Sequence, residues 1–331
     1  MKKIVNDPES VVEDMLDGLI SAHPDSLQKL PDTTVITRKD APITNKVSLV
    51  SGGGSGHEPA HAGYIGNGML DAAVCGEMFT SPTPDQVLEA IKAVDGGAGV
   101  FLVIKNYTGD VMNFDMAAEL AEAEGIQVEK VVVNDDVAVE DSSFTTGRRG
   151  IAGTIFVHKI AGAKAAAGAS LEEVRSSAEK AVANVRSMGM ALTPCTVPAA
   201  GRPSFTLDEN EMEIGTGIHG EPGIERKPVA AADAIAEELI NKILEDIEFN
   251  QGDEAAVMIN GMGATPEMEL YILNKKVNQL LKERGISTYK TFVGNYMTSL
   301  EMAGCSVTLL KLDKELKSLL DAESSAPAFR V

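Results

Sequence analysis

Three short stretches carry residues whose types and spacing suit chemistry on a small molecule. Val47–Tyr64 reads VSLVSGGGSGHEPAHAGY: an apolar run meets Gly52, Gly53 and Gly54, then Ser55, Gly56 and His57. Glycines let backbone N–H groups come close to a small polar ligand. A helix beginning near Pro59 would aim its positive end at the same place. A tight structural turn is the plainer explanation of the same residues. Lys105-Asn106-Tyr107-Thr108-Gly109-Asp110 follows a second apolar run. Lys105 can donate to an oxygen, and Asp110 can take a hydroxyl proton as general base, cap the following helix, or do both. In the third stretch, Gly215-Thr216-Gly217-Ile218-His219-Gly220-Glu221-Pro222-Gly223, a histidine stands among four glycines outside any apolar period. An accessible neutral imidazole is a nucleophile towards carbonyls and a potential metal ligand; a solvated loop histidine is the bland alternative.

The other histidines carry weaker signals. His158 lies on an apolar helical face and reads as structural, and His23 ends a helix. His61 follows His57 by four residues, a spacing that shares a metal on one helix, but Glu58-Pro59 interrupts any helix and no HExxH pattern exists. No metal site is expected. Arg148-Arg149-Gly150 would bind an anion or pair with Asp135 or Asp136; pairing is preferred. The nucleotide signatures fail. Counted from Gly52 or Gly54, the third glycine of a dinucleotide fingerprint is His57 or Pro59, and no Gly-Lys-Ser/Thr follows. A nicotinamide-dependent dehydrogenase is set aside on that ground.

These groups need a frame to bring them together. Asp7 as N-cap and Pro8 at the first helical position open a helix that runs to His23-Pro24, with Val12, Leu16 and Leu19 on one face. Strands are expected at Lys46–Val50, Met69–Val74, Gly99–Ile104 and Val128–Val133, the last two buried on both faces. Helices fit from the Pro82–Asp85 start to Val94, over Asn113–Ala123 and within Gly150–Gly168. Ser170 with Glu173 forms a capping box for a helix over Leu171–Met188. Alternating strand and helix predicts a parallel α/β sheet, whose ligands sit beyond the carboxyl ends of the strands. The polar loops after Val50, Ile104 and Val133 leave from such ends.

Composition shifts at Ala191–Phe205, which has three prolines and no helical period. A boundary near residue 190 is expected. Residues 1–190 would form an N-terminal α/β domain with a largely parallel sheet flanked by helices, carrying the Gly-rich loop. Residues 191–331 would form a smaller mixed-sheet α/β domain carrying the His219 loop. Its strands are placed at Met212–Gly217, Ala255–Asn260, Thr288–Val293 and Ser306–Lys311, and its helices at Ala230–Ile247, Pro266–Glu283 and Lys314–Leu320.

Composition excludes several partner classes. The 331 residues suffice for two cores. The net charge of −20 repels nucleic acid and anionic membranes. No apolar run reaches the roughly 18 residues of a span, and acidic residues interrupt the N-terminal apolar positions, so no signal peptide is expected. Cys75, Cys195 and Cys305 lie far apart without a CxxC, so no disulfide scaffold is implied. A cytoplasmic protein is expected.

Read together, SGGGSGHEP, IKNYTGD, DDVAV, GRRG, CTVPAAGRPSF, GIHGEPG, NGMGATP and TSLEMAGCSVTLLK resemble the K subunits of dihydroxyacetone kinases, from Lys2 to about Phe329. The resemblance implies that His219 attacks the ketone carbon of dihydroxyacetone and holds it as a hemiaminal. It implies substrate binding by Gly54, Ser55, Gly56, His57, Lys105 and Asp110, with His57 a second catalytic histidine and Asp110 the base for the terminal hydroxyl. It also implies that this chain binds no cofactor of its own. ADP or ATP with Mg²⁺ would sit on a separate L subunit, recharged from phosphoenolpyruvate through an M subunit of the sugar phosphotransferase system. A homodimer is expected. The alternative is a non-catalytic paralogue that binds dihydroxyacetone and co-activates a transcription regulator.

Overall fold

The computed structural model describes residues 2–140 and 145–331. Helix α1 (Val11–Ala22) precedes a first sheet of β1 (Leu27–Lys29), β2 (Val35–Arg38), β3 (Ser48–Ser55), β4 (Ala72–Met78), β5 (Val100–Lys105) and β6 (Val128–Val133). Helices α2 (Pro84–Val94) and α3 (Thr108–Ala123) are its crossovers, and α4 (Thr154–Ala166) and α5 (Leu171–Asn184) follow it. The strand order is β1-β2-β4-β3-β5-β6. The four strands from β4 to β6 are parallel, with β2 and β1 added antiparallel at one edge. A second sheet contains β7 (Val185–Ala191), β8 (Glu211–Ile214), β9 (Glu225–Pro228), β10 (Glu254–Gly261), β11 (Ser287–Gly294) and β12 (Gly304–Leu312), in the order β11-β10-β12-β7-β8-β9. There β10 and β11 run parallel and the other pairs antiparallel. Helices α6 (Ala232–Asp246), α7 (Glu267–Glu283) and α8 (Lys314–Asp321) complete it.

The period-2 alternation of each strand explains the layering. Val100, Leu102 and Ile104 of β5 pack with α2 and α3, whereas Phe101 and Val103 face the opposite core with α4 and α5. In β10, Ala256 and Met258 join that same central core, and Val257 and Ile259 face α6 and α7. Both central strands therefore read as apolar runs because both faces are covered. Helix α4 is buried almost all round, which is why its sequence lacks a polar stripe.

Several boundaries differ from expectation. Helix α1 starts at Val11 with Ser10 at the N-cap; Asp7 instead accepts from the Glu9 N–H in a turn. β3 runs on through the glycines to Ser55, held by parallel pairing of Gly52–Gly54 with β4. No helix starts near Pro59: a 3₁₀ turn at Ala62–Tyr64 follows instead. The helix carrying Asp110 begins five residues earlier than predicted, at Thr108, with Tyr107 at the N-cap. Asp110 is thus not the cap; it lies in the first turn, where a carboxylate suits the helix dipole. β6 is an edge strand and only partly buried. The predicted helix to Met188 stops at Asn184, and Val185–Ala191 becomes a strand between β12 and β8. The Ser170–Glu173 capping box is present as predicted.

Candidate active site

The three stretches meet beyond the carboxyl ends of β3 and β5. His57 follows β3 and is fully buried. Its Nδ1 lies 2.8 Å from the Thr298 carbonyl oxygen. A carbonyl can only accept, so Nδ1 carries the proton and Nε2 the lone pair. Nε2 is buried and has no hydrogen-bond partner among the described residues. Burial, then the nearby His219 and Lys105, hold this imidazole well below its ordinary pKa, so it is neutral. The loop is stitched to the far end of the chain: Thr298 N–H donates to the His57 carbonyl, Leu300 N–H to the Gly56 carbonyl, and the Thr298 hydroxyl to the Glu58 carbonyl.

Lys105 is the last residue of β5 rather than a loop residue, and it is fully buried. Its ammonium lies 3.2 Å from Asp110 Oδ2. The Ser81 hydroxyl donates to Oδ1 of the same carboxylate. Gly53, at φ +152°, makes this possible: a Cβ there would fall 2.5 Å from the lysine nitrogen. The glycine is needed here for the approach of a side chain, not of a ligand.

His219 is 11% exposed, so it is neither a solvated loop residue nor a sealed one. Its Nδ1 is 3.0 Å from Glu221 Oε1, and its backbone N–H donates to Oε2 at 2.9 Å. The carboxylate fixes the proton on Nδ1 and leaves the lone pair on Nε2. Burial opposes the charge on Glu221, but His219, their hydrogen bond and Arg149 outweigh it and hold its pKa at about 2. Arg149 pairs with Asp136 at 2.7 Å and donates to the Gly215 carbonyl at 2.8 Å, tying the base of the loop. Arg149 is therefore structural, as expected from sequence. Arg148 pairs with Asp246.

The rings of His57 and His219 meet edge to face, with centroids 4.7 Å apart. Tyr107 presents its face or edge to His219 at 4.6 Å and 90°. A pocket of ≈ 330 Å³ opens between Gly54, Ser81, Tyr107, Asp110, Asn113 and His219. Of the residues named from sequence, Gly54, Asp110 and His219 line it. His57, Lys105, Ser55 and Gly56 stand behind that wall. The Ser55 hydroxyl donates to the Gly76 carbonyl, and the Gly56 N–H to the Glu58 carboxylate, so both groups are spent on the loop itself. Among the described residues no group of three or more His, Cys, Asp or Glu is arranged to hold a metal.

Sequence reasoning missed Glu221, Ser81, Phe79, Tyr107 and the Thr298 carbonyl. Glu221 had a local signal, two residues past the histidine. Ser81 and Phe79 reach the site through the turn after β4, which no spacing announces. Phe79 stacks on His57 with centroids 5.0 Å apart and planes at 16°.

This set can bind a small carbonyl compound at a histidine nucleophile and take a proton from a hydroxyl a few atoms away. Fold and site together define a class: a layered α/β protein with a histidine-lined small-molecule pocket at the end of a parallel sheet. Residues 17–328 match the Dak1 domain. Over 315 residues the chain is 58% identical to the PTS-dependent dihydroxyacetone kinase 1, dihydroxyacetone-binding subunit DhaK, of Listeria innocua, covering 95% of each chain. The solved dihydroxyacetone kinase operon co-activator Dha-DhaQ superimposes with a TM-score of 0.90 at 39% identity, over 96% of this chain and 97% of that one. The dihydroxyacetone kinase of C. freundii, solved with AMP-PNP and Mg²⁺, gives 0.90 at 37% identity, over 99% of this chain and 61% of that one. The chain belongs to the Dak1 domain family. Among the described residues, no helix is long and apolar enough to cross a membrane.

Proposed function

We propose that this chain is the dihydroxyacetone-binding subunit of a phosphoenolpyruvate-dependent dihydroxyacetone kinase. One observation carries the reading: His219, oriented by Glu221, and Asp110, held by Lys105 and Ser81, line the same ≈ 330 Å³ pocket. Dihydroxyacetone is tiny and uncharged, so contacts alone bind it weakly, at a ceiling of about −1.5 kcal/mol per heavy atom. His219 Nε2 adds to the ketone carbon. The new C–N bond fixes the substrate and selects ketones and aldehydes over polyols. As the ring gains charge its Nδ1 proton moves towards Glu221, and the alkoxide formed on the ketone oxygen takes a proton from water, so that the ring loses one proton and the oxygen gains one. Gly54 brings backbone against the substrate; Ser55 and Gly56 hold that backbone in place. Asp110 accepts the proton of the terminal hydroxyl, with Lys105 beside it. His57, neutral and with its lone pair on Nε2, is the second catalytic histidine. With the acceptor so held, phosphoryl transfer is mainly positioning.

The donor nucleotide with Mg²⁺ belongs to a separate L subunit, recharged from phosphoenolpyruvate through an M subunit. This chain acts as a homodimer in the cytoplasm, and the division near residue 190 separates the Gly-rich loop from the His219 loop. The likeness to a solved co-activator favours a second reading, a dihydroxyacetone sensor for a transcription regulator. Sensing needs capture at His219 but no base, so the Ser81–Asp110–Lys105 cluster supports the kinase.

A coupled assay for dihydroxyacetone phosphate tests this, with chain, substrate and a recharged L-type partner, against ATP and the chain alone. Turnover requiring the partner is expected. Substrate captured without turnover would move the assignment to the sensor. An adduct that survives in His219→Ala would remove the hemiaminal assignment.

A further inference from the structure

The glycine run makes room for a side chain as well as for a substrate. A Cβ on Gly54 would fall 2.6 Å from the Phe79 carbonyl carbon and 2.7 Å from its Cα; one on Gly56 would fall 2.7 Å from the Phe79 ring. A bulge delivers that residue. Gly54 pairs with Gly76 but Ser55 with Met78, so Glu77 is an extra residue in β4. Bulges of this kind re-aim side chains beside active sites. The Phe79 N–H then donates to the Ser55 carbonyl at 2.9 Å, and its backbone takes φ +56°. A bulky residue rarely adopts that conformation, and it persists where surrounding structure fixes a side chain for function. The ring lies face to face with His57 and meets His219 edge-on, with centroids 5.2 Å apart at 84°. It also lines the pocket. Tyr107 also meets His219, so aromatic rings pack against both imidazoles.

We propose that Phe79 is the positioning and acceptor-size residue of this site. Its ring sets the mutual orientation of His57 and His219. It also forms a wall of the pocket that limits how long a carbon substituent the ketone can carry. This rests on the carbonyl-capturing function proposed above.

Three variants test it. Phe79→Leu keeps apolar bulk without a flat face. Phe79→Gly removes the ring and makes φ +56° unstrained. Phe79→Tyr restores the ring. Dihydroxyacetone labelled with ¹³C at its carbonyl reports capture by NMR, as ketone signal converts to that of a tetrahedral protein-bound carbon; turnover is measured with the donor subunit. The Leu and Gly variants should bind dihydroxyacetone about tenfold more weakly, the worth of one aromatic contact. Their kcat should fall as well, and capture of 1-hydroxy-2-pentanone, one carbon longer than dihydroxyacetone on one side, should rise relative to that of dihydroxyacetone. Tyr should bring all three back towards the unmodified chain. A folded Leu or Gly variant with unchanged capture and unchanged acceptor ranking would overturn the proposal. If both variants unfold, the unmodified chain decides: a stacked Phe79 shifts the His57 ring protons upfield, and ordinary shifts there overturn it. Failure of the unmodified chain to capture any ketone would instead remove the proposed function, leaving the ring-proton result to judge the stacking of Phe79 on His57.

Discussion

The molecule contains two edge-to-face histidine pairs. His57 and His219 have centroids 4.7 Å apart at 79°; His61 and His158 have centroids 5.2 Å apart at 71°. Their partners differ. In the first pair each Nδ1 is assigned to an outside acceptor, the Thr298 carbonyl and the Glu221 carboxylate. Both lone pairs are thereby placed on Nε2. In the second pair His61 Nδ1 and His158 Nε2 bond each other at 3.0 Å. Their outer nitrogens, His61 Nε2 and His158 Nδ1, are buried without partners among the described residues. Burial, then the Lys105 charge, hold His158 at about 3, and His61 is also lowered well below the ordinary value. Of the four rings only His219 lines the ≈ 330 Å³ pocket with Asp110 and has a carboxylate on its far nitrogen, whereas His61 borders a separate cavity of ≈ 560 Å³. Residue type and ring contact are common to both pairs.

This contrast can be broken in three places. The largest effect is expected at the base that serves the first pair. Asp110→Asn should retain the ¹³C adduct while kcat falls by about 10²–10⁴-fold, the usual worth of general base catalysis; turnover within a few-fold of the unmodified rate would remove Asp110 from that role. Next comes the carboxylate that separates the two pairs. Glu221→Gln turns a charged acceptor into a neutral one, and adduct formation should weaken roughly 10–100-fold, as for loss of a charge-assisted hydrogen bond. The same change should make the protein less sensitive to acid. Glu221 has a folded pKa of about 2 against 4.5 unfolded, so its contribution is present above pH 4.5 and lost as pH falls towards 2.

The smallest functional effect belongs to the second pair. His158→Leu should leave turnover within about twofold, because His158 does not line the pocket, and cost about 1–3 kcal/mol by leaving His61 Nδ1 with only the long 3.5 Å contact to the Ser51 hydroxyl. Its pH signature is specific. The unfolded imidazole takes a proton near 6.5, whereas the folded one resists until about 3. The unfolded chain therefore binds more protons in that window, and stability falls as pH drops through it. Melting temperatures of the variant should show a shallower fall between pH 6.5 and 3, and an equal slope would show that His158 does not supply it.

Elements with local chemistry were legible in the sequence. The Pro82–Asp85 run placed the start of α2, Ser170 with Glu173 placed that of α5, and the apolar run Gly99–Ile104 placed β5. Elements decided by neighbours were not. Val185–Ala191 continues a helix-compatible composition and becomes a strand because β12 and β8 flank it. Glycines have low strand preference, yet Gly52–Gly54 remain in β3 because β4 pairs with them. The site divided in the same way. His57, Lys105, Asp110 and His219 stood out by type and setting, as did the glycines. Glu221 was visible as a neighbour without a role, and Phe79 and Ser81 depend on a bulge and a turn that are tertiary facts.

The stitching of the His57 loop to Thr298 bears on the order in which the chain assembles. That bond joins residues 241 apart, and contacts of such separation close late, after loop entropy has been overcome. The parallel strands around β3 can pair without it, but His57 receives its tautomer only once the Thr298–Leu300 segment docks. The histidine pair is therefore completed only after residues 298–300 have been made, and a chain short of them offers reactive carbonyl compounds no completed trap. In refolding, ketone capture should return after the helical signal, and the interval between them times the arrival of that distant segment.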